Sequence, residues 1–230
     1  MGRRGPKPAK HVAIAKAALA LFVEKGVKGT TTRAIAKFAR TTEASLYRHY
    51  PGKDALARHV LNQCVHALEM EIECSQMAGG SPRARLRAFL HAYVAFARQQ
   101  PLEHSFLQQA HASNLFARLG EKPRARRVLS TLLAEGQAIG DFMAVDPRWL
   151  AAFIAGGLGR VCQASWRRGP SAPYQLTPEA WCVVVERMVT SPPAGHLGGT
   201  AAVYAGAALK QDLEPVLVVN GAVENGRSNS

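Results

Sequence analysis

The 230-residue sequence predicts an all-α protein, and three features of it do so. Between about residues 9 and 192 apolar side chains recur at the three- and four-residue spacing of one helix face, and no alternating run of the strand type competes with them. Ser81-Pro82, Asp146-Pro147 and Thr177-Pro178 head three such runs, where a side-chain oxygen caps orphan N–H groups and proline suits the first helical position. Gly26, Pro51-Gly52, Pro101 and Pro192-Pro193 stand where runs end. About nine helices are expected: an N-terminal three-helix head of helix-turn-helix type and a larger helical C-terminal domain.

Residues 1–10 form a basic arm in which Arg3, Arg4, Lys7 and Lys10 are interleaved with Gly and Pro, so no helix is expected there. The first helix runs from about His11 to Lys25. Val12, Ala15, Leu19, Phe22 and Val23 make its buried stripe, Gly26 ends it, and it braces the helix-turn-helix. Residues 31–56 read as two short helices and the start of a third. Ile35, Ala36 and Ala39 turn inward, as do Leu46 and Tyr50. Thr31 or Thr32 caps the first of these helices, and Thr41 or Thr42 the second. Left outside are Thr32, Arg33, Lys37, Arg40, Thr42, Glu43, Ser45, Tyr47, Arg48, His49 and Lys53, nearly all cations or hydrogen-bond donors. A two-turn helix with that surface fits a DNA major groove.

Within this set Thr42, Glu43, Ala44 and Ser45 occupy the tip that points at base edges. Tyr47, His49 and Lys53 suit phosphates. Arg48 suits either, because a guanidinium on guanine O6 and N7 is the commonest specific contact. Arg33 sits in a first helical turn, where a cation opposes the helix dipole, and that small cost suggests a phosphate or base contact. Glu43 is favoured by the same dipole, so a structural role competes with accepting from a cytosine amine. His49 has no partner at ligand spacing and is read as neither catalytic nor metal-binding. Charge follows the same division. Residues 1–58 hold 13 Lys+Arg against 3 Asp+Glu, net +10, and residues 59–230 hold 16 against 13, net +3. A basic head on a nearly neutral body points to a polyanionic partner.

Thr31-Thr32-Arg33, Ile35-Ala36, Ser45-Leu46-Tyr47, His49-Tyr50 and Lys53-Asp54 with Leu56 stand in a register that resembles the DNA-binding head of the TetR family of bacterial transcriptional regulators. The departure is at the turn, where Arg40 and Thr41 replace the usual glycine and apolar residue; a left-handed backbone there would be strained. Helix count and order over about residues 9–192 resemble the family as well. The resemblance implies a DNA-binding domain at 11–56 and a ligand-binding and dimerisation domain at 57–192, flanked by the arm 1–10 and by a Gly/Ala-rich tail 193–230 outside the family pattern.

The fourth helix, from about Lys53 to Cys74 or Ser75, carries Leu56, Val60, Leu61, Cys64, Val65, Leu68 and Ile72 as one continuous stripe. It touches the reading helix at one end and the body at the other, which makes it the lever between them. Helices follow over about 81–101, 101–119, 123–139, 147–166 and 177–192, with Arg124, Arg126 and Arg127 on a solvated face. Gly156, Gly157 and Gly159 each weaken their helix by about 1 kcal/mol and so suggest close approach of another backbone. In the family the last two helices pair with their two-fold mates. Trp149, Phe153, Gly156, Gly157, Trp181, Val185 and Met188 are the expected homodimer interface. The family also holds a small-molecule pocket among its middle helices. Candidates here are Phe89, Tyr93, Phe96, His104, Phe106, Gln108, His111, Phe116 and Trp166, against the plainer reading of an aromatic core. His104 and His111 share a face but lack a third ligand for a metal.

Cys64, Cys74, Cys162 and Cys182 form no CxxC pair and read as core thiols in a reducing cytoplasm. Neither a signal peptide nor a run approaching about 20 apolar residues is visible, so a cytoplasmic protein that does not enter membranes is expected. No nucleophile elbow, phosphate loop, carboxylate pair or metal cluster suggests an enzyme, and no cofactor is expected. The sequence reads as a ligand-responsive repressor, a homodimer on a near-palindromic DNA operator controlled by a small organic effector. The rival is a non-specific architectural DNA binder, which gives the large apolar body no use.

Overall fold

The computed structural model describes residues 10–121, 124–168 and 177–190, with side chains up to residue 165 in the second span. Arg3, Arg4 and Lys7 of the arm, the side chain of Trp166 and the tail 193–230 lie outside the described residues. Ten helices occupy the described residues: α1 (Lys10–Gly29), α2 (Thr32–Phe38), α3 (Glu43–His49), α4 (Lys53–Gln76), α5 (Pro82–Gln99), α6 (Pro101–Ala112), α7 (Leu115–Leu119), α8 (Ala125–Ala138), α9 (Pro147–Arg168) and α10 (Pro178–Val189). The β pairing among the described residues is one antiparallel bridge, Phe142 to Thr190. None of these helices is long and apolar enough to cross a membrane.

The starts follow the expected chemistry. Thr31, Thr42, Ser81 and Thr177 each accept a backbone N–H three residues on, at 3.1, 3.1, 3.3 and 3.1 Å. Gly26, at φ 72°, breaks the helical path inside α1 and leaves one further turn before Thr30. Arg40 takes φ 53° in the α2–α3 turn. The strain anticipated there is present, at about 1–2 kcal/mol for a side chain in left-handed backbone. One helix more than the nine expected appears because the 101–119 run splits. Asn114 at φ 54° and Gly120 at φ 74° set the five-residue α7 apart at both ends. Asparagine tolerates that conformation, so the apolar period carries on across the break and hides it.

A single hydrophobic core runs from α1 to α10. Along α4, Leu56, Val60, Leu61, Cys64, Leu68 and Ile72 are buried as the stripe predicts, and Val65 is half-buried. At 24 residues α4 is about 36 Å long, and it packs on α1, α5 and α6. Head and body share packing elsewhere too: the Phe22 ring of α1 stacks on Phe106 of α6 at 5.7 Å. Among the thiols Cys64, Cys162 and Cys182 are buried, whereas Cys74 is exposed, correcting the reading of all four as core. It follows Ile72, the last buried residue of α4, where the stripe has run out. Close approach explains two of the α9 glycines. A methyl at Gly157 would run into the Trp181 ring of α10, and one at Gly159 into the Gln108 amide of α6.

Candidate DNA-binding surface and effector cavity

α3 is set in place from behind. Leu46 is fully buried, and the Tyr50 hydroxyl donates to the His11 carbonyl at 3.4 Å, tying the end of α3 to α1. The opposite side then faces out: Thr42, Ala44, Tyr47, Arg48 and His49 are exposed, as are Arg33 and Lys37 of α2 and Arg40 of the turn. Glu43 is the only acid between residues 31 and 50. It is already engaged, since Thr32 Oγ1 donates to Glu43 Oε1 at 3.3 Å and lies 3.4 Å from the Tyr47 hydroxyl. Thr32 and Glu43 therefore cross-link α2 to α3, which is the structural role the sequence left open.

Two expected residues stand elsewhere. Ser45 is 4 % exposed, next to Leu46 on the inward side of a seven-residue helix, so the expected exposure at the tip is corrected. Lys53 is half-buried and its Nζ donates to the Thr30 carbonyl at 2.9 Å and the Lys28 carbonyl at 3.4 Å. It braces the α1–α2 connector. Phe38, at the end of α2, is 61 % exposed, and periodicity gave no sign of it because its neighbours are cationic.

Behind this surface α4 is strapped to the body. Arg58 Nε donates to the Leu119 carbonyl at 3.2 Å and lies 3.9 Å from Glu121. Asn62 Nδ2 donates to Glu121 Oε1 at 3.1 Å, and Arg118 pairs with Asp54 at 3.6 Å. Gln109 of α6 reaches the Val23 carbonyl of α1 at 2.8 Å. None of these straps is legible in the sequence, because each joins residues 59 to 86 positions apart with no local signature.

The straps border a cavity of about 770 Å³. Val65, Leu68 and Glu69 of α4 form one wall, and Ala152, Ala155 and Gly156 of α9 another. Of the expected pocket residues Tyr93, Gln108, His111 and Phe116 line it. Phe89, Phe96, His104 and Phe106 do not. They are at most 2 % exposed and belong to the core, as an aromatic stripe at helical spacing most often does. His104 still acts on the cavity indirectly. Its Nε2 shares a hydrogen bond with the Tyr93 hydroxyl at 3.3 Å, and that hydroxyl accepts from Gln108 Nε2 at 2.9 Å. Burial pushes His104 down to about 4 and Tyr93 well above its ordinary value, so both are neutral near pH 7. Burial, and after it the Arg126 guanidinium, also lowers His111, whose ring lies 4.4 Å from that of Phe116. Arg124, Arg126 and Arg127 are all exposed as expected, and Arg126 also stands at the rim of the cavity. No cluster of three or more His, Cys, Asp or Glu among the described residues is placed to hold a metal.

The expected interface residues divide in two. Trp149 and Phe153 are 68 % and 57 % exposed, and open space lies beyond Gly156. Val185 is fully buried, and Gly157 is covered by the half-buried Trp181, so both serve packing within the chain. Met188 is half-buried. The exposed apolar residues of α10 are Val183 and Val184, which periodicity passed over in favour of Val185.

Residues 14–60 match the family described as bacterial regulatory proteins, tetR family. Over 199 residues the chain is 25 % identical to the nucleoid occlusion factor SlmA of Marinobacter nauticus, covering 78 % of this chain and 96 % of that one. A tetR-family bacterial regulatory protein from Rhodococcus RHA1 has the same fold at TM-score 0.66 and 23 % identity, over 81 % of this chain and 100 % of its own. AibR, solved in complex with isovaleryl coenzyme A and operator DNA, does so at TM-score 0.64 and 22 % identity, over 78 % and 98 %. The head of the chain thus matches the tetR family of bacterial regulatory proteins in sequence over residues 14–60, and its helices share the fold of solved tetR-family structures.

Proposed function

We propose that the chain is a homodimeric repressor that holds a near-palindromic operator until a small organic effector enters the body. The observation that carries this reading is the double attachment of α4. Its first turn braces the head through Lys53, and Arg58 and Asn62 in the next turns hold the α7 end of the cavity wall. A ligand that shifts that wall therefore shifts the seat of α3. Only a ligand with different affinity for the two arrangements can do so. In this reading residues 11–56 bind DNA, and residues 57–192 bind effector and dimerise. Thr42, Ala44 and Arg48 face bases, and Arg33, Tyr47 and His49 face phosphates. Thr32, Glu43, Ser45 and Lys53 hold the reader from behind. Trp149 and Phe153 of α9 and Val183 and Val184 of α10 meet a second copy, so that two readers sit in successive major grooves. AibR, of like fold, is known with both an acyl thioester and operator DNA, which supports the pairing of cavity and head.

Sedimentation combined with titration of a labelled duplex tests the reading. Two chains per operator, with affinity falling steeply as salt rises, is the expected result. A monomer at micromolar concentration, or salt-insensitive binding, would count against it. The 199-residue likeness to a nucleoid occlusion factor favours a second reading, in which the same head serves the nucleoid rather than a promoter. Transcript profiling of a deletion strain separates the two: a few derepressed genes support the repressor, and an unchanged transcriptome supports the alternative.

A further inference from the structure

The rim of the cavity carries information about the chemistry of its occupant, provided that the body binds an effector. Three formally charged side chains line the cavity: Glu69, Glu121 and Arg126. Each acid already accepts a hydrogen bond from the protein. Glu69 Oε1 accepts the Arg124 backbone N–H at 2.5 Å. Glu121 Oε1 accepts from Asn62 at 3.1 Å, with Arg58 at 3.9 Å. Arg126 forms no ion pair with any described residue. His111 lines the cavity with it, and Arg126 is close enough to disfavour the imidazolium. An anion set between them would have one full cation to meet and would turn His111 into a second, because a negative charge favours the protonated ring. Away from this rim Val65, Leu68, Leu107 and Ala152 make an apolar wall, and Tyr93, Gln108 and Asn114 add neutral polar groups. The volume of about 770 Å³ lies within the usual range for organic ligands.

We propose that the cavity binds an amphiphilic carboxylate, with its anionic head against Arg126 and His111 and its apolar chain between α4 and α9. This rests on the effector reading of the body. A cationic amphiphile would be repelled by Arg126 and would meet acids that already accept hydrogen bonds, and a neutral one would make no use of the Arg126 charge.

Calorimetric titration of the full chain with three twelve-carbon probes, each below its micelle concentration, tests this: dodecanoate, dodecanol and dodecylammonium. Dodecanoate is expected to bind about tenfold tighter than dodecanol, the size of one charge-assisted hydrogen bond, and dodecylammonium weakest. Arg126→Gln should bring dodecanoate to the level of dodecanol and leave dodecanol unchanged. Arg127→Gln, one residue on and outside the cavity, should change neither, which separates the site from general attraction to a basic protein. Arg126 is exposed, so retained duplex binding by Arg126→Gln confirms a folded variant. Dodecanol or dodecylammonium binding as tightly as dodecanoate would overturn the ligand class and leave the cavity as an effector site. Binding of none of the three would overturn the class and the effector reading together.

Discussion

Helices α2 and α3 carry their chemistry on the outside, and helices α5–α9 carry theirs in a void. Around α3 the interior is closed: Ile35 and Leu46 are fully buried, the Thr31 and Thr42 caps are satisfied, and the cations face out. In the body the packed aromatic core stops short of a space of about 770 Å³, with a tyrosine–glutamine–histidine chain at its edge. The difference concerns what one sequence can disclose. An outward face is defined by residues a helix leaves polar, and that is written locally. A void is defined by what several helices together fail to fill, and no single stretch records it.

The strongest test of this contrast strikes where the two regions join. Phe22→Ala removes a fully buried ring stacked on Phe106 and should lower unfolding free energy by about 3–5 kcal/mol in urea titrations. A loss below about 1 kcal/mol would mean that head and body do not share a core.

Next comes a pH effect confined to the body. Burial holds His104 at about 4 in the folded chain, against 6.5 unfolded. Between those values the unfolded state binds the extra proton, so stability is full above 6.5 and falls as pH drops toward 4, by about 3 kcal/mol from this group. Stability profiles of the chain and of His104→Gln should differ in slope across that window and run parallel above it. Parallel profiles throughout would place His104 in water rather than behind Tyr93.

Arg48→Ala acts on the surface alone. Operator affinity should fall about ten- to a hundredfold, the worth of a bidentate base contact, with the denaturation midpoint unmoved. A shifted midpoint would make Arg48 part of the packing.

The smallest effect compares like with like. Thr42→Ala and Thr177→Ala each delete a helix cap and should each cost about 1 kcal/mol of stability. Only Thr42→Ala should also weaken operator binding, because only its helix is proposed to enter the DNA groove.

Most of the head was legible. Caps, stops and the inward period of α2 and α3 are set within a turn or two of each residue, and the cationic excess marks the outward face. Ser45 and Lys53 escaped because their burial depends on neighbours: Ser45 faces inward beside Leu46, and Lys53 reaches carbonyls 23 and 25 residues earlier. In the body helix starts were legible, whereas α7 was not, since a left-handed Asn114 interrupts the backbone without interrupting the apolar period. Aromatic character could not separate Phe116, which lines the cavity, from Phe106, which fills the core. Arg126 is solvated as its composition suggests, but its place at the cavity rim follows from how α8 packs on α9, which no local signal records. At the exposed apolar face Val183 and Val184 lie beside a buried Val185, three valines in a row that only packing tells apart.

The central claim is that paired heads read one operator sequence. Selection of bound duplexes from a random library, at physiological salt and with the purified full chain, tests it most directly. The account predicts recovery of a single inverted repeat whose preferred bases relax in Arg48→Ala. Retention of duplexes with no shared motif would contradict it and leave the protein an architectural DNA binder.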